Sequence, residues 1–145
     1  MQQIIRVKLK QVRDGRAKFE CDNISNPRSV YDAFKKLYQG ADREILSVVC
    51  LDSQNKPTAF QVVTVGSLNT TRTRPADIFK IALLSNALGC ILMHNHPSGC
   101  LDPSTEDVEF TKAVTRAGEL LGIEVYDHVI ITDEGYTSLR ERGLL

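Results

Sequence analysis

The chain lacks most of the features that would assign it at a glance. Its four cysteines, Cys21, Cys50, Cys90 and Cys100, form no Cys-x-x-Cys pair. Cys50 and Cys90 fall within apolar runs and read as small buried hydrophobes. Net charge is absent too: 18 Lys and Arg balance 18 Asp and Glu. No global basic field therefore advertises a nucleic-acid partner. No apolar run approaches about 18 residues, so no membrane-spanning helix is expected and no membrane partner follows. The opening Met1-Gln2-Gln3-Ile4-Ile5-Arg6 has no basic region leading into a long apolar one, so no secretory signal is read there. The expected setting is a reducing cytoplasm with free thiols. Internal repeats, low-complexity stretches and linkers are missing as well, and 145 residues with 42% hydrophobic content suit one domain with a core of its own.

What charge there is lies unevenly. Residues 1–43 hold ten Lys and Arg against five Asp and Glu, whereas residues 44–145 hold eight against thirteen. A solvated basic N-terminal face explains this; an acidic or nucleic-acid partner is the alternative.

The hydropathy pattern predicts strands interleaved with three helices. Ile5, Val7 and Leu9 alternate with Arg6, Lys8 and Lys10. Asp14-Gly15 then interrupts and Arg16 to Cys21 resumes, which predicts an N-terminal β-hairpin within residues 1–23. Val30, Phe34 and Leu37 mark a helix entered at Asn26-Pro27 and stopped at Gly40. Residues 44–51 and 58–65 read as strands flanking a turn. Arg74-Pro75-Ala76-Asp77 opens a second helix with an apolar face through Leu88, closed at Gly89. Cys90 to Met93 is a short buried strand. Pro103-Ser104 opens a third helix that ends at Gly122. Segments 123–126 and 129–132 are strand-like, followed by a turn at 133–135 and a short tail. The fold class is α/β, a mixed β-sheet flanked by helices in a single domain.

Histidine is scarce, with three in all, and two stand in one run: His94-Asn95-His96-Pro97-Ser98-Gly99, then Ser104 and Asp107. Residues i and i+2 of an extended segment point to one side, so His94 and His96 can converge on one ion. Asp107, in the first turn of the next helix, can supply a third ligand, and a helix N-terminus favours a carboxylate there. Three protein ligands leave one zinc position open, the form of a catalytic rather than a structural site. Water at such a zinc ion has a pKa of about 7. Each piece also has a plainer reading. Ser104-x-x-Asp107 is a capping box, His-x-His alone suits a surface loop, and Glu44 is a charge at a strand start. Capping does not exclude ligation, and the joint spacing favours a metal. The pattern is not that of an HNH nuclease, whose residues are dispersed along a ββα unit. Nor is it a zinc deaminase, which needs His-x-Glu and Pro-Cys-x-x-Cys. Cys100 is a disfavoured further ligand, and the third histidine, in Asp127-His128, reads mainly as structural.

His94-x-His96-x7-Ser104-x-x-Asp107 resembles the full motif of the JAMM (MPN+, JAB) metallopeptidases. The form His-Asn-His-Pro-Ser-Gly looks like the RadC branch of that superfamily. Arg43-Glu44 before an apolar strand ending in Leu51-Asp52, Gly122-Ile123-Glu124 with Asp127-His128, and Gly135-Tyr136 with Ser138-Leu139 fit as well. The resemblance covers residues 24–145 as a RadC-like domain, with residues 1–23 as a hairpin extension of it. It implies a cytidine-deaminase-like layered fold, zinc held by His94, His96 and Asp107, Glu44 as general base, and Ser104 assisting the developing oxyanion. The implied activity is hydrolysis of a peptide or isopeptide bond in a peptide or protein substrate. Longer RadC-like proteins begin with a DNA-binding helix-hairpin-helix, which residues 1–23 are too short to form. Asn95 stands where ubiquitin-directed members have Ser or Thr, so their substrate does not carry over. A DNA-associated accessory module with a structural metal is the rival reading, and the pattern leaves oligomeric state open.

Overall fold

A computed structural model describes residues 3–16, 18–19, 22–66 and 73–145. Each helix begins where its capping chemistry predicts. Helix α1 (Pro27–Tyr38) has Pro27 in its first turn, and the Asn26 side chain accepts from the Ser29 amide. Val30, Phe34 and Tyr38 fall at i, i+4 and i+8 and are buried. Helix α2 (Pro75–Leu84) is entered through Pro75, and Asp77 accepts from the Arg74 amide. Helix α3 (Thr105–Leu121) is capped by Ser104 and closed by Gly122, whose left-handed φ of 71° suits glycine.

Five strands form one mixed sheet in the order β2-β1-β3-β4-β5. Strand β1 (Ile45–Leu51) pairs antiparallel with β2 (Pro57–Val65) and with β3 (Gly89–Asn95). Strand β3 pairs parallel with β4 (Glu124–Ile131), with α3 as the crossover, and β4 pairs antiparallel with β5 (Tyr136–Ser138). Central strands β1 and β3 are buried on both faces, whereas edge strand β2 is partly exposed. Leu46, Val48, Cys90 and Leu92 pack with Ile78 and Phe79 of α2 and Phe110 and Val114 of α3. Val49, Leu51, Ile91, Met93 and Val129 pack with Val30, Phe34 and Tyr38 of α1. The expected α/β domain, a mixed sheet flanked by helices, is the fold observed.

Three expectations need correction. Helix α2 ends at Leu84 rather than near Leu88, because Asn86 takes a left-handed φ of 52° and turns the chain out, leaving Leu88 exposed. Segments 123–126 and 129–132 are one continuous strand, since Asp127 and His128 are buried within it rather than breaking it. The N-terminal hairpin is not formed in residues 3–16, which carry no strand and are exposed throughout; residues 17, 20 and 21 lie outside the described residues. Ile4, Ile5, Val7 and Leu9 are 75–94% exposed, with no sheet to bury them, and a lone two-stranded hairpin is marginal in water. The body of the fold takes hold at Phe19, which packs on Phe34 and Phe60. No helix among the described residues is long and apolar enough to cross a membrane.

Candidate metal centre

Strand β3 runs out of the sheet at Asn95, and its last turns of alternation set His94 and His96 on the face covered by α3. The two Nε2 atoms lie 2.9 Å apart. Asp107 comes to them from the first turn of α3: its Oδ1 lies 3.5 Å from His94 Nε2 and its Oδ2 3.2 Å from His96 Nε2. A tetrahedral zinc site with bonds of about 2.0–2.1 Å has ligand–ligand edges of about 3.3–3.4 Å, so the triad already stands near the spacing an ion needs. His94 and Asp107 are buried and His96 is nearly so.

The donor chemistry fits a cation as well as the spacing does. His96 Nδ1 lies 2.7 Å from the Cys100 carbonyl. A carbonyl only accepts, so Nδ1 carries the proton and Nε2 of the neutral ring offers a bare lone pair. That lone pair faces a carboxylate and a second ring nitrogen, an electron-rich arrangement that needs a proton or a metal between its members. The Asp107 hydrogen bond holds His96 above the usual histidine pKa, against burial. Burial pushes the Asp107 carboxyl upward, but the adjoining His94 and His96 imidazoles outweigh it and hold the group well below the usual carboxylate range. The residues present therefore fit a zinc-like ion.

Ser104 and Asp107 cap α3 reciprocally. Ser104 Oγ accepts from the Asp107 amide at 3.0 Å, and Asp107 Oδ2 accepts from the Ser104 amide at 2.8 Å. The cap and the candidate ligand are thus one group, and the cap fixes the carboxylate's direction. Ser104 is exposed at the head of the helix. Glu44 directly precedes β1, half-buried, and its charge contributes to raising His96. The Asn95 side chain bonds the backbone on both sides of Glu44, so this stretch, fifty residues upstream, lies beside the end of β3.

Two contributors escaped the sequence reading. Asn95 is buried, and its side chain clamps the backbone on either side of Glu44: Oδ1 accepts from Ile45 N at 2.7 Å, and Nδ2 donates to the Arg43 carbonyl at 3.1 Å. The second is Thr111, one turn beyond Asp107 on α3, whose hydroxyl lies 2.6 Å from His128 Nδ1. His128 itself, read mainly as structural, lies 2.7 Å from His94 through Nε2. Burial, then the adjoining His94 imidazole, keeps the His128 pKa well below the usual value. Cys100 serves through its carbonyl; its exposed thiol is not part of the triad. Asp127 points to the opposite sheet face, where it accepts from the Ser138 hydroxyl at 2.5 Å and from the Arg140 amide at 3.1 Å, tying the C-terminal tail to β4. A cleft of about 260 Å³ opens beside His96, lined by Gly40, Ala41, Asn95, Pro97, Ser98 and Thr132, among others.

The buried His-x-His strand end facing the Asp107 cap is the arrangement that the JAMM resemblance implied. In comparison with known proteins, the family described as "RadC-like JAB domain" matches residues 24–144. The chain belongs to the RadC-like JAB domain family. A UPF0758 protein of Desulfitobacterium hafniense is 42% identical over 122 residues, 84% of this chain and 54% of that protein. UPF0758 proteins of Caldanaerobacter subterraneus and Methanosarcina barkeri are 42% and 37% identical, over 83% and 84% of this chain and 52% and 53% of their own lengths. The chain thus spans about half the length of these curated relatives. The matched span, residues 24–144, contains the positions of Glu44, His94 to Asp107 and His128.

Proposed function

We propose that this RadC-like domain is a zinc-dependent hydrolase of the JAMM type that cleaves a peptide or isopeptide bond. The observation that carries the reading is the convergence of two imidazoles and one carboxylate on a single buried point beside Glu44 and an open cleft. A zinc ion held by His94, His96 and Asp107 would polarise a carbonyl and lower the pKa of water. Glu44 takes a proton from the attacking water as its oxygen bonds to the carbonyl carbon. It returns that proton to the leaving nitrogen as the C–N bond breaks. The Ser104 hydroxyl keeps its own proton while Oγ accepts the Asp107 amide, so it can donate to the carbonyl oxygen as charge develops there. The cleft beside His96 receives the substrate chain, and the compartment is cytoplasmic.

Metal analysis with an unbiased peptide-library cleavage assay tests this. About one zinc per chain is expected, lost in His94→Ala and His96→Ala. Glu44→Gln should keep the metal and lose about 10²–10⁴-fold in turnover. A Glu44→Gln protein as active as the parent removes Glu44 as the base, and zinc retained in the His94→Ala/His96→Ala double variant removes the ligand assignment.

A second reading rests on the exposed basic side chains of Arg6, Lys8, Lys10 and Arg13. This arm would bind nucleic acid through phosphate contacts. Such binding weakens steeply with salt and is lost when Arg6, Lys8 and Lys10 are neutralised. No binding at low salt excludes it.

A further inference from the structure

The buried contacts behind His94 form a chain with one possible direction. It starts at the Asp107 backbone carbonyl, which can only accept. The Thr111 hydroxyl oxygen lies 2.6 Å from that carbonyl oxygen, so the proton between them belongs to Thr111. Having given its one proton to Asp107, Thr111 can only accept from His128 Nδ1, 2.6 Å away; Nδ1 therefore carries a hydrogen. His128 is fully buried, and among the described residues its ring nitrogens meet a hydroxyl and another imidazole, with no carboxylate bonded to either. A neutral ring is what such a site tolerates. With its hydrogen on Nδ1, His128 presents a bare Nε2 to His94 Nδ1 at 2.7 Å. His94 must then donate from Nδ1, which leaves Nε2 bare on the side facing His96 and Asp107.

We propose that His128 and Thr111 are positioning residues that lock His94 in the tautomer able to bind metal through Nε2. His96 is locked to the same tautomer by the Cys100 carbonyl directly; His94 reaches its fixed carbonyl through two relays. The relay also joins β3, β4 and α3, so the carbonyl that sets its direction belongs to the third ligand, Asp107. A ring turned only by packing would be free to bring either nitrogen forward; this one is not.

The proposal rests on the metal reading, and its test separates the two. Long-range ¹H–¹⁵N spectra of the metal-free 145-residue chain report which nitrogen of each histidine is protonated. The expected result is Nδ1–H on both His94 and His128. Nε2–H on His94 overturns the proposal whether or not metal binds. The second arm measures zinc(II) and cobalt(II) affinity by chelator competition, with the metal-free melting temperature as the control for folding. His128→Leu should lose affinity by about 10–100-fold. His128→Gln retains an acceptor toward His94 and should recover most of that loss. Thr111→Val should weaken binding with the fold intact. His128→Leu binding zinc within about twofold of the parent overturns the proposal, as does a folded His128→Gln no better than His128→Leu. If His128→Leu fails to fold, the Thr111→Val affinity and the parent spectra decide. A parent that binds neither metal sinks the metal reading while leaving the tautomer result standing.

Discussion

Replacing Asn95 with alanine tests how the candidate base is held. Asn95 stands between the two ligand histidines, but alternation turns its side chain away from them, onto the backbone around Glu44. Alanine leaves the Ile45 amide and the Arg43 carbonyl without that partner. A buried backbone group left unpaired costs about 1–3 kcal/mol. Ile45 is half-buried and Arg43 exposed, so water recovers much of the carbonyl's loss and part of the amide's. The expected penalty is therefore about 1–2 kcal/mol, measured by urea unfolding of the metal-free chain. The chain entering β1 then loses its fixed path, and a misplacement of about 1 Å in a reacting group costs on the order of 10²-fold in rate. Zinc content should stay at the parent level, because none of the three ligands is touched. Hydrogen exchange at the Ile45 amide should accelerate. Asn95→Asp keeps the acceptor for Ile45 but sets a carboxylate oxygen against the Arg43 carbonyl, so it should be no better than alanine. An Asn95→Ala protein with unchanged stability and unchanged Ile45 exchange would show that the clamp carries no energy. Faster exchange with full turnover would show that the clamp does not place Glu44.

Further outcomes follow from the same structure. Protons compete with metal for His96 Nε2, and the Asp107 hydrogen bond holds that site above the ordinary value of 6.5. Zinc affinity should therefore fall as pH drops through that raised value, starting above pH 6.5, and a flat affinity between about pH 6 and 8.5 would contradict it. For the metal-free chain the sign reverses: a raised histidine pKa stabilises fully below its unfolded value, and the contribution is lost as pH climbs through the folded value. Melting temperature should decline across that window, and His96→Gln should flatten the decline. Gly118→Ala would place a Cβ 2.4 Å from the Ile123 carbonyl oxygen, a backbone atom that cannot swing aside. It should cost about 1–3 kcal/mol in urea unfolding, and a neutral result would show that the start of β4 yields freely.

The sequence was most readable where the physics is local. Asn26, Asp77 and Ser104 announce helix starts because a cap needs only residues three positions away. Val30 and Phe34 repeat at one helix face as expected, but the third buried position is Tyr38 rather than the expected Leu37, which is exposed. The triad was readable for the same reason, since His94, His96 and Asp107 lie within fourteen residues. What stayed hidden depends on pairing across the sheet. Parallel pairing of β3 with β4 sets Leu92 beside His128 and brings that third histidine to His94. An irregularity between Cys90 and Ile91 passes over Tyr126, so the alternation is reset there and Asp127 no longer shares a face with Val125; periodicity alone does not locate such a slip. Asn95 lies between the histidines, yet its partners are fifty positions away. The N-terminal alternation predicted strands, but alternation forms a strand only where a sheet offers it an edge and a face.

The candidate metal centre is assembled from the ends of elements that the two cores already hold: the end of β3, the residue that follows it, and the first turn of α3. Unlike a zinc finger, whose chain folds only around its ion, this scaffold has two apolar cores that include none of the three ligands, so it is expected to stand without metal. A chelator should strip the ion without melting the protein, and returning zinc should restore the loaded state in the same tube. Metal supply would then act as a reversible throttle on a reservoir of intact, waiting molecules.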